Sequence, residues 1–244
     1  MEKIIINGCV WSESNLKSSS FNNGDPIYRA HTINEWRQAF KNGIAAYWIP
    51  EDETVKNGYL YNYWALTDPR GLYDETKWMI PKKEHWEDLI AVCGGAEVAG
   101  YNMKSKSGWS HHDYKYERSI SCRKCKEWNE EYKSKVACHH CHDSRNEIII
   151  HNGNGMDVLG FDAKPSGTVE PDNPDNLAFP DYLATWWIDD SDEFRWDELP
   201  VLGSLFTYRP KIVALTMHNL DCQIVQVGHN TGHAIRLFCP YTKE

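Results

Sequence analysis

Four cysteines carry the clearest chemistry in the chain: Cys122, Cys125, Cys138 and Cys141 form the series C-x2-C-x12-C-x2-C. A C-x2-C pair turns two thiolates toward one point, and two such pairs complete the tetrahedral sulfur shell that Zn2+ prefers. Two disulfides or four free thiols are the competing readings. The spacing, and an N-terminus too short in apolar residues for a secretory leader, favour zinc. A closed four-thiolate site leaves no position for water, so the ion expected here is structural and not catalytic. His139, His140 and His142 crowd the second pair, and one of them is an alternative ligand to a cysteine. His111, His112 and His151 read as solvated side chains.

A second group lies later. Trp186, Trp187, Asp189, Asp190 and Trp196 set aromatic faces beside carboxylates, and form the candidate ligand or partner surface. With Asp192 and Glu193 the acidic residues could hold Ca2+, although a solvated acidic loop is the preferred reading. Cys9, Cys93, Cys222 and Cys239 read as small buried hydrophobes. The chain contains no G-x-S-x-G, P-loop or H-E-x-x-H series. A non-enzyme is therefore expected.

These residues need a scaffold, and periodicity supplies an outline. Thr32 is placed to cap a helix over Ile33–Lys41, with Glu35 three residues on as its capping-box partner. A second helix is predicted over Lys82–Val92, with Trp86, Leu89, Ile90 and Cys93 on one face and Gly94-Gly95 as its stop. Lys3–Ile6, Ala45–Ile49, Ile148–Ile150, Tyr182–Ile188, Lys211–Met217, Cys222–Val227 and Ala234–Cys239 read as strands. Pro165–Pro180 reads as a surface loop. Helices early and strands late argue α+β, not alternating βαβ.

Bulk properties set further bounds. The 244 residues carry a net charge of −9, which disfavours nucleic acid as a partner. Lys104–Glu147 holds ten Lys/Arg against seven Asp/Glu, and four thiolates on Zn2+ would leave it nearly neutral. No apolar run approaches the length of a membrane span. Aromatic residues are 13% of the chain, and Leu60–Leu89 is especially rich in them. Large rings at that density belong in a core or on a recognition surface.

Ordered short motifs then carry a resemblance. Trp11-Ser12-Glu13-Ser14-Asn15-Leu16, Asn23-Gly24-Asp25-Pro26-Ile27, Leu60-Tyr61-Asn62-Tyr63-Trp64-Ala65 and Asp68-Pro69-Arg70-Gly71-Leu72 resemble the Fibrobacter succinogenes major paralogous domain. So do Trp78-Met79-Ile80-Pro81, Lys104-Ser105-Lys106-Ser107-Gly108-Trp109, Gly160-Phe161-Asp162-Ala163 and the closing Ala234-Ile235-Arg236 with Cys239. The resemblance implies a C-type-lectin-like fold: two helices, a twisted and mainly antiparallel sheet, and paired N- and C-terminal strands. Residues 1–109 and 153–244 would form that domain, and residues 110–152 a zinc-ribbon-like insertion.

The family's use of such scaffolds implies a recognition or structural module. The expectation is a phage virion component (fibre, decoration or receptor-binding protein), made in the cytoplasm and carried out by assembly. Its partners would be other structural proteins, or a surface receptor or glycan, and a homo-oligomer is compatible with that use. The alternatives are an enzyme on the related formylglycine-generating scaffold, through Cys222 and Cys239, and a cytosolic zinc-ribbon adaptor.

Overall fold

The computed structural model describes residues 2–50, 57–74, 76–117, 146–172, 177–178, 181–190 and 209–240. They fall into two compact units, one of residues 1–109 with 154–244 and one of residues 110–153.

The first unit begins with a hairpin of β1 (Lys3–Ile6) and β2 (Cys9–Ser12), turned by Asn7 and Gly8 at positive φ. The short β3 (Tyr28–Arg29) precedes α1 (Ile33–Lys41). At its start Glu35 N–H donates to Thr32 Oγ1 at 3.2 Å, and the Glu35 carboxylate accepts from the Thr32 N–H at 3.3 Å. This reciprocal pair is the predicted capping box. β4 (Ala46–Trp48), β5 (Leu60–Asn62) and the single-turn α2 (Tyr63–Leu66) follow. α3 (Lys83–Val92) buries Trp86, Leu89 and Ile90, and α4 (Ala96–Met103) buries Ala99, Gly100 and Met103.

In the second unit the described residues form a two-stranded antiparallel ladder of β6 (His111–Glu117) and β7 (Asn146–Asn152). The first unit then resumes with β8 (Thr168–Val169), β9 (Leu177–Ala178), β10 (Leu183–Trp187), β11 (Lys211–Thr216), β12 (Gln223–Gln226), β13 (Gly232–His233) and β14 (Phe238–Cys239).

The sheets run in the orders β1-β2-β14, β10-β11-β12, β3-β4-β5-β13-β8-β9 and β6-β7. All pairings between these strands are antiparallel except β3 with β4. The fold is α+β and rich in sheet, and the N-terminal hairpin shares a sheet with the last strand through Phe238 opposite Trp11.

Four helices, not two, lie among the described residues. The helix beyond Gly94-Gly95 was not foreseen because both glycines, at positive φ, end α3 and immediately start α4. The described start of the stretch Pro165–Pro180 is not a free surface loop. Ser166, Thr168 and Val169 are buried, and Thr168–Val169 is an inner strand of the largest sheet.

β10 separates two hydrophobic clusters. Successive side chains of a strand point to opposite faces. Trp186 joins Trp11, Trp86, Phe161 and Phe238 on one side, while Trp187 joins Tyr61, Tyr63 and Leu237 on the other.

Candidate functional site

The four-cysteine series falls at residues 118–145, outside the described residues, as do His139, His140 and His142. The strands at its two ends are described. β6 and β7 pair over their whole length, from His111 opposite Asn152 to Glu117 opposite Asn146. The hairpin thus brings the entry and exit of the cysteine stretch to neighbouring points on one ladder.

The later candidate surface divides. Trp186 and Trp187 are 0% exposed, so they are core residues and not a stacking platform. Their indole N–H groups are also committed, Trp186 to Asn15 Oδ1 at 2.7 Å and Trp187 to Tyr61 O at 2.8 Å. A strand with a core on each face must bury consecutive residues, which is why two adjacent tryptophans fit there. Asp190 is buried too, and its carboxylate accepts from the Lys211 N–H at 3.1 Å, tying the end of β10 to the start of β11. Asp189 is partly exposed and donates its N–H to Pro81 O at 3.0 Å. Trp196, Asp192 and Glu193 lie outside the described residues. Among the described residues no group of three or more His, Cys, Asp or Glu is placed to hold a metal ion.

The remaining cysteines differ in setting. Cys93 and Cys222 are buried, and burial pushes their thiols up to about 11 and about 12. Both are protonated at neutral pH, the opposite of an activated nucleophile. Cys9 and Cys239 are only partly buried. Cys9 lines a cleft with Ile6, Trp11, His85, Asp88 and Phe238. The His85 ring stacks on Phe238 at 4.2 Å, and its Nδ1 accepts from the Lys82 N–H at 3.0 Å.

Three buried basic groups escaped the sequence reading. Lys104 donates to Thr216 O and Asn219 O, both at 2.9 Å, and its ammonium sits 5.3 Å from the centre of the Trp109 ring. Burial lowers its pKa to about 8. Arg236 donates to Phe161 O at 2.7 Å and lies over the Phe161 ring, and burial brings its pKa down to about 9. Its Nε has no partner among the described residues.

His233 is fully buried, set edge-on to Trp187 at 4.5 Å and surrounded by the hydroxyls of Thr168, Thr185 and Thr231. Lys and Arg usually signal surface, so these burials were not legible in the sequence. Lys104, Arg236 and His233 bind main-chain carbonyls or hydroxyls across sequence-distant segments. Their geometry suits holding loops and strands in place.

The family model for the Fibrobacter succinogenes major domain matches residues 4–209. No curated protein and no solved structure matches the chain.

Proposed function

Because the chain belongs to the Fibrobacter succinogenes major domain family, we propose that it is a non-enzymatic recognition module: a C-type-lectin-like body bearing a zinc-stapled hairpin. The observation that carries this reading is the β6–β7 register. Glu117 opposes Asn146, so Cys122 follows one strand end by five residues and Cys141 precedes the other by the same five. Opposed residues of an antiparallel pair have Cα atoms about 4.5–5.5 Å apart. The two C-x2-C pairs therefore depart from adjacent anchors with equal reach, which suits four thiolates meeting on one ion. The residues that would hold Zn2+ are Cys122, Cys125, Cys138 and Cys141. When bound, the ion supplies structural cross-linking in a segment short of aliphatic residues.

The lectin-like reading of the body draws support from the sheet that unites the N-terminal hairpin with the last strand. The non-enzymatic reading draws support from the raised, buried Cys222 thiol, which disfavours the formylglycine-generating alternative. The family's use of such scaffolds makes a virion component, binding another structural protein or a surface glycan, the setting we infer.

Elemental analysis of the purified chain tests the metal: one zinc per chain is expected, falling to none when Cys122 and Cys125 are both replaced by Ser. A metal-free parent chain would remove the zinc staple from this reading. Binding to host-envelope glycans and to virion proteins tests recognition. A turnover that Cys222→Ala abolishes in a folded chain would overturn the non-enzymatic assignment.

A further inference from the structure

Three threonine hydroxyls surround the ring nitrogens of His233. Thr168 Oγ1 lies 3.0 Å from Gly232 O and 3.2 Å from His233 Nδ1. Thr185 Oγ1 lies 3.1 Å from Gly167 O and 2.9 Å from the same ring nitrogen. A carbonyl oxygen only accepts, so each hydroxyl can direct its single proton there and turn a lone pair to the ring. A bare Nδ1, with one lone pair, could not serve both hydroxyls in any case. With Nδ1 carrying the proton, shared between the two threonines, both hydroxyls keep their carbonyl partners.

The other side of the ring is different. Thr231 Oγ1 lies 2.8 Å from His233 Nε2 and 2.7 Å from Gly228 O, with one proton for two acceptors. Against a neutral ring the hydroxyl donates to Nε2, and Gly228 O keeps the Thr231 N–H at 3.3 Å. Against a charged ring Nε2–H donates to Thr231 Oγ1, and the hydroxyl donates to Gly228 O. Every group has a partner in both states.

We propose that His233 and Thr231 form a proton-operated latch, in which Nε2 takes a proton from solvent and the Thr231 hydroxyl swings from the ring to Gly228 O. The swing adds a second hydrogen bond across the Gly228–Thr231 turn. That turn anchors α1, because Asn230 O accepts the Trp36 indole N–H at 2.8 Å. The latch thus couples proton uptake inside the sheet to the seat of a surface helix.

The titratable groups on the packed elements are Tyr61 on β5, Tyr63 on α2 and His229 in the turn, whose ring meets Tyr63 edge-on at 5.2 Å. On α1, Glu35 accepts from the His31 and Thr32 N–H groups, and Arg37 donates to Asn34 and Pro171 O. Beyond the strand ends stand Glu170, next to β8, and Asp189 and Asp190, next to β10. Burial is the sole cause acting on the His233 ring, and it keeps the ring neutral at neutral pH.

Nitrogen-15 NMR of the full chain, following both ring nitrogens through an acid titration, tests the latch. We expect the Nδ1–H tautomer at neutral pH, then protonation of Nε2 in the folded chain with slower exchange of the Trp36 indole N–H. Thr231 is only partly buried, so Thr231→Val should fold. It should weaken proton binding at His233 about tenfold, one pH unit, and Thr231→Ser should restore it. An Nε2–H tautomer at neutral pH, an unshifted titration in Thr231→Val, or unfolding before Nε2 is protonated would each overturn the proposal.

Discussion

Burial holds the rings of His233, His85 and His229 below the ordinary imidazole range, with His233 lowest at about 3. The unfolded chain takes up protons below about pH 6.5, where the folded chain does not. Unfolding therefore binds protons in that window, and stability falls as pH drops from about 6.5 toward about 3. For His233 alone the loss by pH 5 is about 2 kcal/mol. Urea midpoints should accordingly decline between pH 7 and pH 5, and His233→Asn should flatten that decline. A midpoint independent of pH across this range would mean that the buried rings take up protons at the same pH in the folded and the unfolded chain. None of this was legible in the sequence. Histidine is common on surfaces, and only the pairing of β13 with β5 and β8 places residue 233 inside.

Elements were legible where the signal was local. The helix over Ile33–Lys41 matches its expected bounds, because its cap, its acidic first turn and its apolar face all lie within the same ten residues. Thr32→Ala should cost about 1 kcal/mol in thermal or urea unfolding, the usual worth of such a cap. α4 shows the contrary case. A Cβ on Gly100 would come 2.0 Å from Asp221 O and 2.8 Å from Leu220 O, so its missing side chain lets the helix lie directly on the 220–222 backbone.

Read locally, Gly100 lowers helix propensity; read in the fold, it permits the contact. Gly100→Ala should therefore destabilise, by about 1–3 kcal/mol as overpacking usually does, although it raises intrinsic helicity. Stabilisation on that substitution would show that the contact yields. The two-residue strands β8 and β13 were indistinct for the same reason. Each is defined by partners far away in sequence, such as Gly232 opposite both Asn62 and Val169.

At the scale of the molecule the chain divides into two units. The unit of residues 1–109 and 154–244 holds both hydrophobic clusters. The described residues of the unit 110–153 form one two-stranded ladder, and an isolated hairpin is marginal in water. Under the zinc reading, chelation should raise amide exchange across residues 111–117 and 146–152 while leaving Trp36, Trp86 and Val213 protected. Equal protection of the hairpin before and after chelation would remove zinc as its source of order. The cysteine series stands out in the sequence because its spacing is a local pattern. The fate of Trp186 and Trp187 was not, since two adjacent tryptophans beside aspartates look like a surface until a strand is known to face a core on both sides.

The ring cluster on one face of that strand also has an optical consequence. Trp11 and Trp86 lie 5.0 Å apart at a 55° tilt, and Trp86 and Trp186 lie 5.6 Å apart at 33°. Indole transitions that close and that oblique share their excitation. The native chain should therefore show a paired positive and negative band of tryptophan origin in its ultraviolet circular dichroism. The three coupled indoles come from β2, α3 and β10, so their joint signal reports the assembly of three distant segments at once.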